Sequence, residues 1–156
     1  MEIKVMNRER IEGLARRAFT KKTAVISITD SDAPPVFFWH APEFLLRLRF
    51  DDLEPDSDLL RDLMAVFPEV TLQYQIITDE QAAEIAGFVQ MIDGAADQLI
   101  CQCEHGQSRS AAVAAAILEY TGSNINLFAD QRYAPNRNVY EKVRTALQKS
   151  QTVRRN

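Results

Sequence analysis

The sequence lacks the features of several large classes of protein. No apolar stretch approaches the roughly 20 residues that cross a membrane, and the start, MEIKVMNRER, lacks the apolar core of a secretory signal. Glycine (5) and proline (6) are scarce among 156 residues, which argues against long disordered segments. We therefore expect a cytoplasmic protein without membrane contact, with one domain over residues 1–150 and a flexible tail at 151–156.

Cysteine, histidine and excess positive charge are also scarce. Cys101 and Cys103, one residue apart, are poorly spaced for a structural disulfide. His40 and His105 have no partner at metal-ligand spacing, so we expect no metal site and no cofactor. Acidic residues outnumber basic ones by 22 to 18, and the basic cluster at 16–22 is interpreted as a solvated helix end. An extended nucleic-acid-binding face is therefore not expected.

Strand and helix patterns alternate along the chain. The β-branched and alternating apolar patterns predict strands at 2–6, 23–29, 44–50 and 99–103. Apolar residues at helical spacing predict helices at 8–17, 57–67, 78–94, 108–120, 124–131 and 137–148. This order predicts a single α/β domain with a central, mostly parallel sheet flanked by helices on both faces. Ligands bind beyond the carboxyl ends of such strands, where Asp51, Asp52 and Cys103 are expected.

The segment LICQCEHGQSRS places a cysteine at a strand end, then five loop residues, an arginine and a helix. The five loop residues are Glu104, His105, Gly106, Gln107 and Ser108. Their backbone N–H groups and the positive end of the helix can surround an anion. Gly106 lets the loop tighten, and Arg109 can hold two phosphate oxygens with its planar guanidinium. The segment therefore predicts a binding loop for phosphate or sulfate.

Cys103 is expected at the floor of this loop. The N–H groups, the helix end and Arg109 favour its thiolate form, which is the nucleophile. Ser110 can donate a hydrogen bond to the sulfur when it leaves a phosphocysteine intermediate. These residues predict two-step hydrolysis of phosphate esters, with a phosphorylated protein or a small phosphoester as substrate.

The motif Cys103-x5-Arg109-Ser110, with Gly106 third after the cysteine, resembles the signature of the cysteine-based protein tyrosine phosphatases, particularly the small dual-specificity type. The alanine-rich helix after Arg109 and Pro135–Asn136 also resemble this family. The resemblance implies a phosphatase fold over most of the chain and an aspartate, after a preceding strand, that protonates the leaving alcohol.

The strand pattern LRLRFDD matches the family aspartate to Asp52, with Asp51 as the alternative. A third possibility is that both residues only cap the following turn. By the same resemblance, Asn136 supports the loop from behind.

Three features depart from the family pattern. Gln102 stands where the family usually has a histidine before the nucleophile. The stretch between Asp52 and Cys103 is longer by residues 57–74, which form a lid or rim unless the acid is assigned to the wrong aspartate. Glu104 places negative charge at the loop mouth and disfavours highly charged inositol phosphates, and His105 is expected at the rim.

The leading interpretation is a phosphatase of phosphotyrosine, and of phosphoserine or phosphothreonine, in proteins. A phosphatase of RNA 5′-phosphates or small phosphoesters, and a phosphate-binding module without turnover, are the alternatives. The Ser108-Arg109-Ser110 sequence and the Asp51–Asp52 strand end disfavour a rhodanese-type sulfur transferase.

Residues outside the loop receive simpler interpretations. Cys101 is expected in the core, with a redox partnership with Cys103 as the alternative. The aromatic side chains of Phe37, Phe38 and Trp39 are expected in core and strand packing rather than in a substrate platform.

Overall fold

The computed structural model describes residues 1–55, 57–69 and 74–155, with side chains up to residue 153. The described strands are β1 (Glu2–Met6), β2 (Thr23–Thr29), β3 (Phe44–Arg49) and β4 (Gln98–Gln102). The described helices are α1 (Arg8–Ala15), α2 (Asp58–Val66), α3 (Asp79–Ile92), α4 (Arg109–Tyr120) and α5 (Arg137–Arg155).

The four strands form one parallel sheet in the order β1-β4-β2-β3. The two central strands, β4 and β2, are buried along their whole length, as their apolar and β-branched sequences predict. All carboxyl ends lie at one edge of the sheet. The segment after β4 therefore has the end of β1 on one side and the end of β2 on the other, and β3 ends next to β2.

Helices cover both faces of the sheet, which confirms the predicted α/β architecture. On one face, Ile26 and Leu99 pack with Ile85 of α3, Val113 of α4 and Val143 of α5 in the main core. On the other face, Ile11 of α1 packs against Val25 and Ile100 in a smaller cluster.

The predicted helix starts are confirmed by their caps. Asn7 accepts a hydrogen bond from the N–H of Arg10 at the start of α1. Thr78 and Gln81 form a reciprocal capping box at the start of α3.

The C-terminal region differs from the sequence-based prediction. Residues 124–131 form turns and no helix. The side chains of Asn126 and Asp130 accept hydrogen bonds from the N–H groups of Phe128 and Arg132, at 3.0 Å each, and so compete with helical bonding. Helix α5 continues to Arg155, so residues 151–155, assigned above to a flexible tail, are helical, and residue 156 lies outside the described residues.

The expectation for the aromatic side chains at 37–39 is wrong for two of the three. Phe37 and Trp39 are 62% and 70% exposed, and their rings meet edge to face at 5.1 Å. Phe38 is half-buried beneath the guanidinium of Arg47.

Cys101 lies fully buried in the main core, where burial raises the pKa of its thiol. This environment keeps Cys101 a neutral thiol.

The long segment 57–74 carries helix α2, of which Leu60 is buried. Residues 70–73 of this segment lie outside the described residues, and its role as a lid or rim stays a prediction. No helix among the described residues is both long and apolar enough to span a membrane.

Candidate active site

The loop between β4 and α4 packs tightly against the end of β1. Gly106 has a φ of 66°, in the left-handed region that favours glycine. A Cβ at this position would lie 2.6 Å from the backbone N of Asn7 and 2.7 Å from the carbonyl C of Met6. Glycine is therefore required at position 106 both for its backbone angle and for the close approach of β1.

The backbone carbonyl groups of the loop bond to surrounding backbone. Glu104, Gln107 and Ser108 accept hydrogen bonds from the N–H groups of Arg8 (3.1 Å), Ala134 (2.9 Å) and Asn136 (3.2 Å). Within residues 1–55, 57–69 and 74–155, no protein group accepts from the N–H groups of residues 104–109. Outward-bonded carbonyls and unused N–H groups are the arrangement of an anion-binding loop.

Cys103 lies at the base of this loop and is 2% exposed. Its Sγ is 3.0 Å from the hydroxyl oxygen of Ser110, which is fully buried in the first turn of α4. The structure thus brings together the predicted nucleophile and the predicted hydrogen-bond donor to its sulfur.

Arg109 begins α4 and its side chain is 4% exposed. Its Nη1 donates to the backbone carbonyl of Phe50 at 2.7 Å and lies 2.6 Å from Oδ1 of Asp30. Its Nε is buried and has no hydrogen-bond partner among the described residues. Buried donors normally have an acceptor. An anion bound in the loop would supply one for Nε of Arg109.

The two candidate aspartates after β3 have different surroundings. Asp51 is 7% exposed, and its carboxylate accepts from the N–H of Ser31 (2.9 Å), the hydroxyl of Ser31 (2.7 Å) and the N–H of Gln75 (2.7 Å). Burial raises the pKa of Asp51, but these hydrogen bonds and the charge of Arg109 outweigh it, and the net pKa is lowered. Asp51 therefore ties two neighbouring segments together as a carboxylate.

Asp52 is exposed, and one of its oxygens is held by two donors. Its Oδ1 accepts from the hydroxyl of Ser108 at 2.7 Å and from Nδ2 of Asn136 at 2.9 Å. Asn136 is buried, also donates to the carbonyl of Leu53, and accepts from the N–H of Val139 at the start of α5. Asn136 thus contacts the aspartate segment through its side chain and the phosphate loop through its backbone.

The residue before Cys103 and the first two residues after it have different surroundings. Gln102 is fully buried and accepts from the hydroxyl of Ser27 on β2 at 2.6 Å. The carboxylate of Glu104 lies 3.8 Å from Arg8, so its negative charge at the loop mouth is partly compensated. His105 is exposed, as expected for the rim.

Asp30 and Ser31, which contact Arg109 and Asp51, were not predicted as site residues. The available signal was their position, because β2 ends at the same sheet edge as β3 and β4. Among the described residues, no group of three or more histidine, cysteine, aspartate or glutamate side chains is arranged to hold a metal ion.

Comparison with known proteins gave similarity only at the level of structure. No family model and no curated protein matches the chain. The structure of human DUSP28 aligns with a TM-score of 0.49 and 19% identity, over 96% of this chain and 94% of that one. A mouse protein assigned as a dual specificity phosphatase, in complex with zinc tungstate, aligns with a TM-score of 0.45 and 21% identity, over 96% and 83% of the two chains. Because these sequence identities and TM-scores are low, the activity has to be inferred from the geometry of the loop.

Proposed function

We propose that the protein hydrolyses phosphate monoesters through a phosphocysteine intermediate on Cys103. One observation carries the proposal: Cys103 lies at the base of a loop whose N–H groups have no acceptor among the described residues, with Ser110 Oγ 3.0 Å from its sulfur. The buried Nε of Arg109, which has no partner in the part of the chain that the structure describes, adds a charged donor to the same loop. Nucleophile and anion-binding groups therefore come from one short segment.

In the first step, the thiolate of Cys103 attacks phosphorus and the bond from phosphorus to the ester oxygen breaks. The loop N–H groups and Arg109 hold the equatorial phosphate oxygens, where negative charge is spread in the transition state. The departing oxygen takes its proton from the carboxyl group of Asp52.

In the second step, water attacks the phosphocysteine and the sulfur–phosphorus bond breaks. The carboxylate of Asp52 accepts the proton of that water, which restores its acid form. Inorganic phosphate leaves, and Ser110 donates its hydroxyl hydrogen bond to the thiolate that is regenerated on Cys103.

The surroundings of the two aspartates support Asp52 as the acid. The carboxylate of Asp51 receives three hydrogen bonds and has a lowered pKa, so it stays ionised and has no proton to give. In Asp52 both described donors go to Oδ1. Oδ2 is the oxygen that can carry the transferred proton.

We further propose phosphorylated tyrosine, serine or threonine side chains of proteins as substrates. A 5′-phosphorylated RNA is polyanionic, whereas this chain has a net charge of −4 and carries Glu104 at the loop mouth. Both features disfavour nucleic acid relative to a phosphopeptide.

The test is hydrolysis of an aryl phosphate by the wild-type protein and by Cys103→Ser over about pH 5 to 8, with a chelator present. We expect turnover by the wild type and none by Cys103→Ser, with phosphate binding retained in both. Binding of phosphate without turnover by the wild type would instead indicate a binding module. Comparison of a phosphopeptide with a 5′-phosphorylated oligoribonucleotide then tests the substrate class.

A further inference from the structure

The strand β1 lies at an edge of the sheet, and one of its sides is open. Glu2 donates its N–H to the carbonyl of Asp97 at 2.9 Å, and the carbonyl of Met6 accepts at 3.4 Å from the residue that follows β4, so both ends of β1 bond toward β4. Because the backbone groups of successive strand residues point to opposite sides, those of Ile3 and Val5 point away from β4. In the part of the chain that the structure describes, no strand, turn or loop bonds to them there. The open side of β1 can therefore pair with an added strand.

A groove of about 340 Å³ runs along this open side. It is lined by buried apolar side chains of α4 and of the turns that follow α4, namely Ala114, Leu118 and Leu127. Ile125 also lines the groove and is 59% exposed. An extended segment that pairs with β1 would place every second side chain on this apolar surface.

Both sides of the groove end at the phosphate-binding loop. On one side, β1 ends at Met6, whose carbonyl C would lie 2.7 Å from a Cβ at Gly106. On the other side, Tyr133 lines the groove, and the next residue, Ala134, donates its N–H to the carbonyl of Gln107 at 2.9 Å. A chain that lies in the groove can therefore continue to the mouth of the loop.

The charged side chains of the groove indicate which ligand charge it favours. Lys4 lies 3.5 Å from the carboxylate of Glu2, and Arg132 pairs with Asp130 at 2.7 Å. Arg10 is exposed, and its guanidinium has no ion pair or hydrogen bond with the described residues. An acidic residue of the ligand would be complementary to this charge.

We propose that the groove binds an extended segment of the phosphorylated protein substrate, which adds a strand to β1. The segment has apolar side chains at alternate positions and an acidic residue near Arg10. Backbone hydrogen bonds to Ile3 and Val5 give affinity, and the apolar surface gives a sequence preference. The inference rests on the proposed function, because the segment belongs to the substrate of the same site. A small aryl phosphate does not reach the groove.

The probe is a phosphotyrosine peptide with a five-residue segment, the length of β1, in which valine alternates with glutamate. A short glycine spacer joins the segment to the phosphotyrosine. The segment is placed before the phosphotyrosine in one peptide and after it in another, which covers both strand directions. Control peptides have serine in place of valine. We would measure kcat and KM for each peptide and for an aryl phosphate.

Two variants change the groove and leave the phosphate-binding loop intact. Val5→Pro removes an N–H from the open side of β1, a substitution that an edge strand tolerates. Ile125→Glu places a charge on the apolar surface. Met91→Glu is the matched control, because Met91 on α3 is 57% exposed and does not line the groove.

We expect the KM of the valine peptide to be about tenfold below that of the serine peptide in one of the two orders, the scale of an apolar side chain or a few hydrogen bonds. Val5→Pro and Ile125→Glu should abolish this difference, and Met91→Glu should keep it. For the aryl phosphate, kcat/KM should be the same in the wild type and in all three variants.

Equal KM values for the valine and serine peptides in both orders would contradict the proposal. So would a difference that Ile125→Glu leaves unchanged, and this comparison holds even if Val5→Pro does not fold. Light scattering tests a second copy of this chain as the occupant: a wild-type dimer that Ile125→Glu converts to a monomer would also contradict the proposal. If the wild type does not hydrolyse the aryl phosphate, only the proposed function is contradicted. Fluorescence polarisation of a labelled, unphosphorylated valine peptide then shows whether the groove binds it.

Discussion

The phosphate-binding loop (residues 103–110) and the aspartate segment after β3 (residues 50–54) are held in different ways. The loop is shaped by its own glycine and by backbone hydrogen bonds to Arg8, Ala134 and Asn136. The aspartate segment depends on contacts with residues far away in sequence, since Asp52 is held by side chains 56 and 84 residues further along the chain. A backbone-built site tolerates most side-chain changes nearby, whereas a site held by side chains depends on each of them.

The largest effect is expected from the acid itself. Asp52→Asn should lower kcat for an aryl phosphate with a poor leaving group by roughly 10²–10⁴-fold, the scale of general acid catalysis. The affinity for inorganic phosphate should stay close to that of the wild type, because the substituted side chain keeps an acceptor oxygen for Ser108 and the loop is also held by backbone hydrogen bonds. Steady-state kinetics together with phosphate titration would separate the two. A larger loss of kcat in Asp51→Asn than in Asp52→Asn would show that the acid is assigned to the wrong residue.

The next effect concerns the backbone of the loop. Gly106→Ala places a Cβ within 2.7 Å of the backbone at Met6 and Asn7 and strains a φ of 66°. Strain of this kind costs on the order of 1–3 kcal/mol, so the variant should lose both stability and phosphate affinity.

Gly122→Ala is the matched control, since its φ is 74° and a Cβ there meets nothing within 4 Å. Thermal melts should show a smaller loss of Tm for Gly122→Ala than for Gly106→Ala. Added phosphate should raise the Tm of Gly122→Ala as much as it raises that of the wild type. Equal behaviour of the two variants would mean that contact with β1 does not shape the loop.

A smaller and more selective effect is expected at Asn136, which contacts both regions. Asn136→Ala removes the hydrogen bond to Asp52 but keeps the backbone N–H that donates to the loop carbonyl of Ser108. We expect kcat to fall by about tenfold, the scale of one hydrogen bond to a charged group. Phosphate affinity should change little. If phosphate affinity falls as much as kcat, the side chain of Asn136 supports the loop rather than the acid.

The smallest effect on activity, and a distinct effect on stability, is expected at Asp51. Because folding lowers the pKa of this carboxyl, its stabilising contribution is complete above the unfolded value of ~3.9 and is lost as the pH falls through the lower folded value. Asp51→Asn should therefore lower Tm near neutral pH, and the difference from the wild type should shrink in acid. A difference in Tm that is constant down to about pH 3 would contradict this account.

The same contrast explains which parts of the molecule could be predicted from the sequence. The loop is encoded in consecutive residues, so its cysteine, glycine, arginine and serine can be recognised together. The buried run at β2 and the capping residues Asn7 and Thr78 are local signals too. The hydrogen-bond partners of Asp51 cannot be recognised from the local sequence, because Ser31 and Gln75 contact Asp51 only after the sheet has formed. The helix predicted at 124–131 does not form, because the side chains of Asn126 and Asp130 accept hydrogen bonds from backbone N–H groups that a helix would use. The spacing of apolar residues does not reveal this competition.

In the proposed mechanism, the phosphoryl group is transferred to Cys103 before water releases it. The most direct measurement is an acid quench of the protein during turnover of an aryl phosphate, followed by peptide mass mapping of the modified residue. Ser110→Ala should increase the fraction of protein trapped as phosphocysteine. The substitution removes the hydroxyl that lies 3.0 Å from the sulfur of Cys103 and stabilises the thiolate as it leaves phosphorus. A phosphoryl group on Cys103 is the predicted result. Turnover with a phosphoryl group on another residue, or with none trapped in either protein, would contradict the mechanism.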